Sequence, residues 1–166
     1  TWGVRATAAL GRRERALALL EMILPPSHAR TREDVAVYQV EPYVVVADVY
    51  AVPPHVGRGG WSWYTGSSGW MLRVALESVL GLRMEEGRRL VLRPCVPDAW
   101  KEFRIAYRVP GADTRYAIHV RGPSGVNARM VGVRVDGASL APVDGAAVWE
   151  IARDGKEHAV EVELGG

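Results

Sequence analysis

Near residue 84 the apolar residues of this chain stop recurring every three or four positions and begin to alternate. A helix buries a stripe with a period of 3.6 and a strand buries every second residue, so the two stretches demand different elements. In the first stretch, Trp2, Ala6, Ala9, Leu10, Leu17, Leu20 and Leu24 recur at helical spacing. Gly11 breaks the run, and Pro25-Pro26 stops it. No cap precedes Trp2, so the chain is expected to be a piece of something longer. Thr31-Arg-Glu-Asp reads as an N-cap followed by acidic first-turn residues. Pro42 suits the first turn of a helix running through Ala51, although that segment is β-branched and a buried strand is the alternative. A third helix is expected over 66–80, with Gly81 as its C-terminal cap.

The second stretch reads as strands: RLVLRP, FRIAYRV, TRYAIHVRG, ARMVGVRVDG, AVWEIA and HAVEVEL. They are separated by turn signals at Pro110-Gly111, 122–125, Asp136-Gly137, Asp144-Gly145 and Asp154-Gly155. Val131, Val133 and Val135 are expected on one face, with Gly132 and Arg134 on the other. The pattern points to an antiparallel sandwich or jelly roll.

Composition narrows the function classes. The 166 residues carry a net charge of +2, which offers no electrostatic case for nucleic acid or an anionic membrane. The basic residues are almost all arginine and are scattered, with Lys101 and Lys156 the exceptions. Cys95 is the single cysteine and lies among apolar residues and prolines, as a packed thiol would. No stretch reaches the roughly 18 to 20 apolar residues that span a bilayer, and none reads as a signal peptide.

Chemistry concentrates in GRGGWSWYTGSSGW, residues 57–70. Trp61, Trp63, Tyr64 and Trp70 offer flat apolar faces with polar edges, suited to sugar rings. Trp61 and Trp63 stand two apart and are expected to point to opposite sides, so that at most one faces a sugar; Trp70 is expected in the core. A hydroxyl at the head of a helix, with N–H groups behind it, is an anion site, here Thr65-Gly66-Ser67. The bland reading is a helix cap, a turn and core tryptophans. The motif is neither a Walker loop nor a dinucleotide turn. Arg58 is the nearest fixed positive charge, placed to face an anion or to stack on a tryptophan. Glu41 suits sugar hydroxyls or, equally, the helix dipole beside Pro42. His55 reads as a solvated loop histidine, His28 as a loop residue bonding backbone, and His119 and His158 as ordinary strand residues. No metal-ligand pattern stands out.

Three blocks, HARTREDVAVYQVEPYVVVADVYA, PHVGRGGWSWYTGSSGWMLRVALESVLGLR and LVLRPCVPDAWKEFRIAYR, together resemble the inverting disaccharide phosphorylases of the cellobiose and chitobiose type. Among these they most resemble the phosphorylase-like C-terminal region of cyclic β-1,2-glucan synthases. The resemblance covers roughly residues 28–108. It implies an α+β chain: the last helices of an (α/α)6 toroid over 1–83, then an antiparallel, jelly-roll-like β-sandwich over 84–166. It also implies phosphorolysis, in which inorganic phosphate attacks an anomeric carbon while an aspartic acid protonates the leaving oxygen. The resemblance puts Thr65 and Gly66 on the phosphate. It puts the aspartate, and a phosphate-contacting histidine, before Thr1, and neither Asp48 nor Asp98 fits that motif. Where the disaccharide enzymes tend to carry a phosphate-contacting glutamine, this chain has Ala47, a departure similar to the cyclic glucan synthases.

The expected function is therefore the C-terminal part of a glycoside phosphorylase-like enzyme acting on β-linked glucans, inactive as an isolated piece. Phosphate enters as co-substrate and no cofactor is implied. Expected partners are a β-glucan oligosaccharide, phosphate, the rest of the parent chain and a second copy in a homodimer. The expected location is cytoplasmic, with a parent that can be anchored in the inner membrane. Two other classes compete: a carbohydrate-binding or structural module, using Trp100, Tyr107, Tyr116 and Trp149 of the β half, and a toroid glycoside hydrolase, which needs two flanking carboxylates.

Overall fold

A computed structural model describes residues 1–63, 65–123 and 125–166. The chain is α+β, and it divides into two compact units, Thr1–Leu76 and Glu77–Gly166.

The first unit opens with helices α1 (Trp2–Ala9) and α2 (Arg13–Glu21), which pack on each other. Gly11, at φ 68°, turns the chain between them in a conformation that favours glycine. Val4 and Ala8 on α1, and Ala16 and Leu20 on α2, are buried, each pair four residues apart and therefore on one face. A 3-10 turn follows at Pro25–His28. Helix α3 (Arg32–Tyr38) begins at the expected cap: the Asp34 N–H donates to Thr31 Oγ1 at 3.1 Å, and the Thr31 N–H donates back to Asp34 Oδ2 at 3.0 Å. His28 plays the expected structural part, with Nε2 2.9 Å from the Met22 carbonyl and its ring stacked 4.6 Å from that of buried Tyr38.

The helix expected through Ala51 does not form. Residues Asp48–Val49 instead make strand β1, antiparallel to β2 (Gly59–Gly60). Valine side chains are stiff in a helix, and here the segment finds its main-chain partners across the hairpin while Val44 and Val45 are buried. Helix α4 (Thr65–Arg73) follows, and then one π-helical stretch, Val74–Val79. Trp70 is half-buried rather than core: its ring lies 5.2 Å from that of Trp2, and the Arg73 guanidinium sits 5.0 Å from its centroid.

The second unit contains all six expected strands, as β4 (Arg89–Leu92), β5 (Glu102–Arg108), β6 (Arg115–Arg121), β7 (Arg129–Val135), β9 (Ala147–Glu150) and β10 (Glu157–Gly165). It adds β3 (Leu82–Glu85) and the short β8 (Ala138–Ser139). Among the described residues these form a five-stranded sheet, β5-β6-β10-β7-β8, and a three-stranded one, β3-β4-β9. The pairing is not wholly antiparallel as expected, because β10 runs parallel to β6. Parallel neighbours need a long crossover, and the chain through β7, β8 and β9 supplies it. The core draws Leu82, Leu90, Leu92 and Trp149 from the smaller sheet and Tyr116, Ile118, Val120, Val160 and Val162 from the larger. Tyr116 and Trp149 meet at 6.0 Å between ring centroids.

Val131 does not share a buried face with Val133. The register passes from Glu163 opposite Gly132 to Leu164 opposite Met130, which leaves Val131 as the extra residue of a bulge. It is half exposed, whereas Val133 is buried.

His158 is not an ordinary strand residue. Its Nδ1 lies 2.6 Å from Asp136 Oδ2 and its Nε2 3.1 Å from Asp154 Oδ1, so it joins the turn after β7 to the turn before β10. A neutral imidazole has one N–H, whereas carboxylates on both nitrogens ask for two. The Asp136 hydrogen bond, aided by Asp154, accordingly raises the His158 pKa against the opposing effect of burial. Asp136 is lowered by His158 and by the Ala159 N–H, and Asp154 by the Lys156 N–H and His158. The imidazolium contribution is complete below the unfolded value, about 6.5, and is lost as pH rises through the raised folded value. The carboxylate contribution is complete above about 4 and is lost as pH falls through the lowered values. The melting temperature of His158→Gln should therefore fall furthest below that of the wild type near pH 5–6, with the gap narrowing toward pH 9. A gap independent of pH would show that no charge is involved.

Candidate active-site segment

The site grows from a hairpin that two glycines permit. The Ala47 N–H donates to the Trp61 carbonyl at 3.0 Å, the Tyr50 N–H to the Arg58 carbonyl at 2.9 Å, and the Gly57 N–H to the Tyr50 carbonyl at 2.8 Å. A Cβ on Gly59 would lie 2.6 Å from Val40 Cγ2 and 3.0 Å from Val46 Cγ1. One on Gly60 would lie 2.5 Å from Asp48 Oδ1. Side chains at either position would push the two arms apart.

Beyond the glycines, Trp61 and Trp63 hold left-handed backbone, at φ 41° and 67°. For bulky residues this conformation costs on the order of 1–3 kcal/mol each. The hairpin imposes it, and both indoles stand out in solvent, 72% and 62% exposed. Trp61 lines an open cleft of about 470 Å³ together with Glu41, Tyr50, His55, Arg58 and Ser62. Trp63 instead meets Tyr43, itself exposed, edge-on at 6.3 Å.

Thr65, Gly66 and Ser67 form the first turn of α4. Thr65 is thus helical rather than the cap. Tyr64, among the expected aromatic faces, lies outside the described residues. Thr65 and Gly66 are exposed and Ser67 half-buried, and a Cβ added to Gly66 would meet nothing within 4 Å. The leading N–H groups of a helix have no partner within it.

The structure therefore brings Glu41, Arg58 and Trp61 to one cleft. Trp63 stands with Tyr43, and Thr65–Ser67 follow on the next turn of chain. Tyr50 and His55 were not legible as site residues. Their place in the cleft follows from the reversal between Tyr50 and Arg58, which residue spacing does not announce; their rings lie 6.0 Å apart. In the β unit, Asp98 has a structural task, accepting the Asn127 N–H at 2.7 Å. Tyr116 and Trp149 are buried, and Trp100 and Tyr107 half-buried, so these aromatics form no exposed platform. No helix among the described residues is long and apolar enough to cross a membrane.

An exposed aromatic hairpin thus precedes the exposed first turn of α4. Residues 1–81 match the glycosyl hydrolase 94 superfamily catalytic domain, and this segment belongs to that superfamily. The chain is 43% identical over 125 residues, 75% of its length, to the cyclic beta-(1,2)-glucan synthase NdvB of Rhizobium meliloti. It is 30% identical over 166 residues to solabiose phosphorylase of Paenibacillus borealis and to N,N'-diacetylchitobiose phosphorylase of Vibrio furnissii, in each case over 99% of its length. It spans 4%, 20% and 19% of these three relatives respectively.

The contrast between the glycines is testable. Gly59→Ala forces Val40 and Val46 aside and should lower unfolding stability by about 1–3 kcal/mol. Gly66→Ala meets open space in a helix and should leave stability unchanged or up to about 1 kcal/mol higher. Denaturant melts of the two variants check this, and equal losses would contradict the hairpin geometry.

Proposed function

We propose that this chain is the C-terminal part of a glycoside phosphorylase-like enzyme acting on β-linked glucans, by phosphorolysis or by control of chain length. In this reading Thr1–Leu76 supplies the last helices of an (α/α)6 toroid, and Glu77–Gly166 is its C-terminal β-sandwich. The observation that carries the proposal is the exposed first turn of α4, Thr65-Gly66-Ser67, which two exposed, strained tryptophans precede in the sequence. It lies within a segment of glycosyl hydrolase 94 sequence.

Phosphate is held by Thr65 Oγ1 and by the main-chain N–H groups of Gly66 and Ser67, with the positive end of the α4 dipole beneath it. The saccharide lies along the cleft, its ring against Trp61 and its hydroxyls on Glu41 and Arg58, while Trp63 extends the aromatic surface. Binding both partners at once converts a bimolecular attack into a positioned one, and the donors offset charge on the attacking oxygen. A phosphate oxygen then bonds to the anomeric carbon as the C–O bond of the leaving sugar breaks. That departing oxygen takes a proton from an aspartic acid supplied by the rest of the parent chain. A module binding sugar through its β half is not favoured, because its aromatics are buried or half-buried.

Thr65→Val in the intact parent protein is the direct test. It removes one hydrogen bond to a charged group, so KM for inorganic phosphate should rise by about 10- to 100-fold. KM for the glucan should stay within about twofold on the same reading. Glucose-1-phosphate release under separate titrations of phosphate and of glucan measures the two constants. Unchanged phosphate dependence would sink the assignment.

A further inference from the structure

The tetrapeptide Val-Asp-Gly-Ala occurs twice in this chain, at 135–138 and 143–146, and both copies make two-residue turns. The backbone is left-handed at both central positions in each: φ is 50° at Asp136 and at Asp144, 80° at Gly137 and 73° at Gly145. Both aspartates and both glycines are exposed. Local sequence, turn conformation and solvent access are thus the same, and the two turns differ in what holds them.

An Asp-Gly step lets an aspartate react with its own chain, because glycine puts no Cβ in the way of the peptide nitrogen. The glycine nitrogen attacks Cγ of the neutral carboxyl group. A C–N bond forms, a C–O bond breaks, and the hydroxyl leaves as water with the proton from nitrogen. Water then reopens the five-membered imide. Where it breaks the bond from nitrogen to the main-chain carbonyl carbon, the chain continues through Cγ as isoaspartate. No other reactant is consumed.

Asp136 is held against this reaction. Its Oδ2 lies 2.6 Å from His158 Nδ1, its Oδ1 accepts the Ala159 N–H at 2.8 Å, and its own N–H donates to the Ala159 carbonyl at 2.8 Å. The His158 and Ala159 bonds to the carboxylate lower its pKa and favour the ionised, less electrophilic form. The third Asp-Gly step, Asp154-Gly155, is held at the nitrogen instead. The Gly155 N–H donates to Oγ1 of fully buried Thr114 at 2.9 Å, while Asp154 Oδ1 lies 3.1 Å from both the Lys156 nitrogen and His158 Nε2.

Asp144 has none of these restraints. Among the described residues no hydrogen bond or ion pair reaches its carboxylate. Its turn is closed by two main-chain bonds between Val143 and Ala146, at 2.8 and 3.0 Å, and β9 begins only at Ala147. Swinging the Gly145 nitrogen toward Cγ breaks those two bonds and no strand pairing, a local opening of the least stable kind.

We propose that Asp144 is the residue at which this chain forms isoaspartate, ahead of Asp136 and Asp154. The isomer adds a methylene to the main chain of a two-residue turn, immediately before fully buried Ala147, which pairs with Leu92. The modification therefore frays the leading end of β9. Nothing in it depends on the phosphate and saccharide reading.

Ageing of the intact protein at mildly acidic pH tests it. Proteolysis and electron-transfer fragmentation in a mass spectrometer then distinguish isoaspartate from aspartate at each turn. Isoaspartate should accumulate at 144 at least about tenfold faster than at 136, where two hydrogen bonds to a charged group must first be given up. Asp144→Glu should abolish the signal at that turn, because the ring would need a further atom. His158→Gln should raise the rate at 136 by about fivefold or more while leaving that at 144 unchanged, which separates release of the clamp from general unfolding. Equal rates in the two Val-Asp-Gly-Ala turns of the wild type would overturn the proposal. So would faster isomerisation at 136 or 154, or a His158→Gln rate at 136 that does not rise relative to 144.

Discussion

The close approach of two chain segments at Gly59 and Gly60 is the constraint on which the candidate site rests. With no side chain at either position, the strand after the reversal passes under Val40, Val46 and Asp48. Main-chain bonds from Ala47 and Tyr50 hold it there. From that anchor the next residues have little choice. Trp61 and Trp63 take left-handed backbone, their indoles face outward, and helix α4 begins at Thr65. Strain of this kind persists only where surrounding contacts over-determine it, and the hairpin provides those contacts within a dozen residues.

The β unit has a different physical character. Its core is largely apolar where the two sheets contribute to it, and polar groups clamp its turns. Asn127 is 3% exposed and donates to the carbonyls of Pro97 and Trp100 while its N–H reaches Asp98. His158 ties two turns through a carboxylate at each ring nitrogen. Such an assembly suits a rigid support, in contrast with the exposed aromatics and strained backbone of the first unit.

Local signals were legible in the sequence, and long-range ones were not. The six alternating segments became strands because alternation reports a half-buried strand directly. Strand β3 escaped because LGLRMEE continues the pattern of the preceding helix, and only pairing with β4 makes it a strand. The segment after Pro42 carried a helix-start signal beside a β-branched run, and pairing across the hairpin decided between them. Neither the parallel β6–β10 pair nor the bulge at Val131 has a local signature, since both are statements about partners. At the site, residue chemistry singled out Glu41, Arg58 and Trp61, which share a cleft, whereas Tyr50 and His55 join them only through the chain reversal.

The central claim is that the first turn of α4 holds an oxyanion beside a saccharide lying on the hairpin. A crystal structure of the parent protein with inorganic phosphate and a glucan oligosaccharide measures this most directly. The account predicts phosphate oxygens within hydrogen-bonding distance of Thr65 Oγ1 and the Gly66 and Ser67 N–H groups, with a sugar ring against Trp61. Phosphate bound elsewhere, with that turn covered by packed side chains, would contradict it.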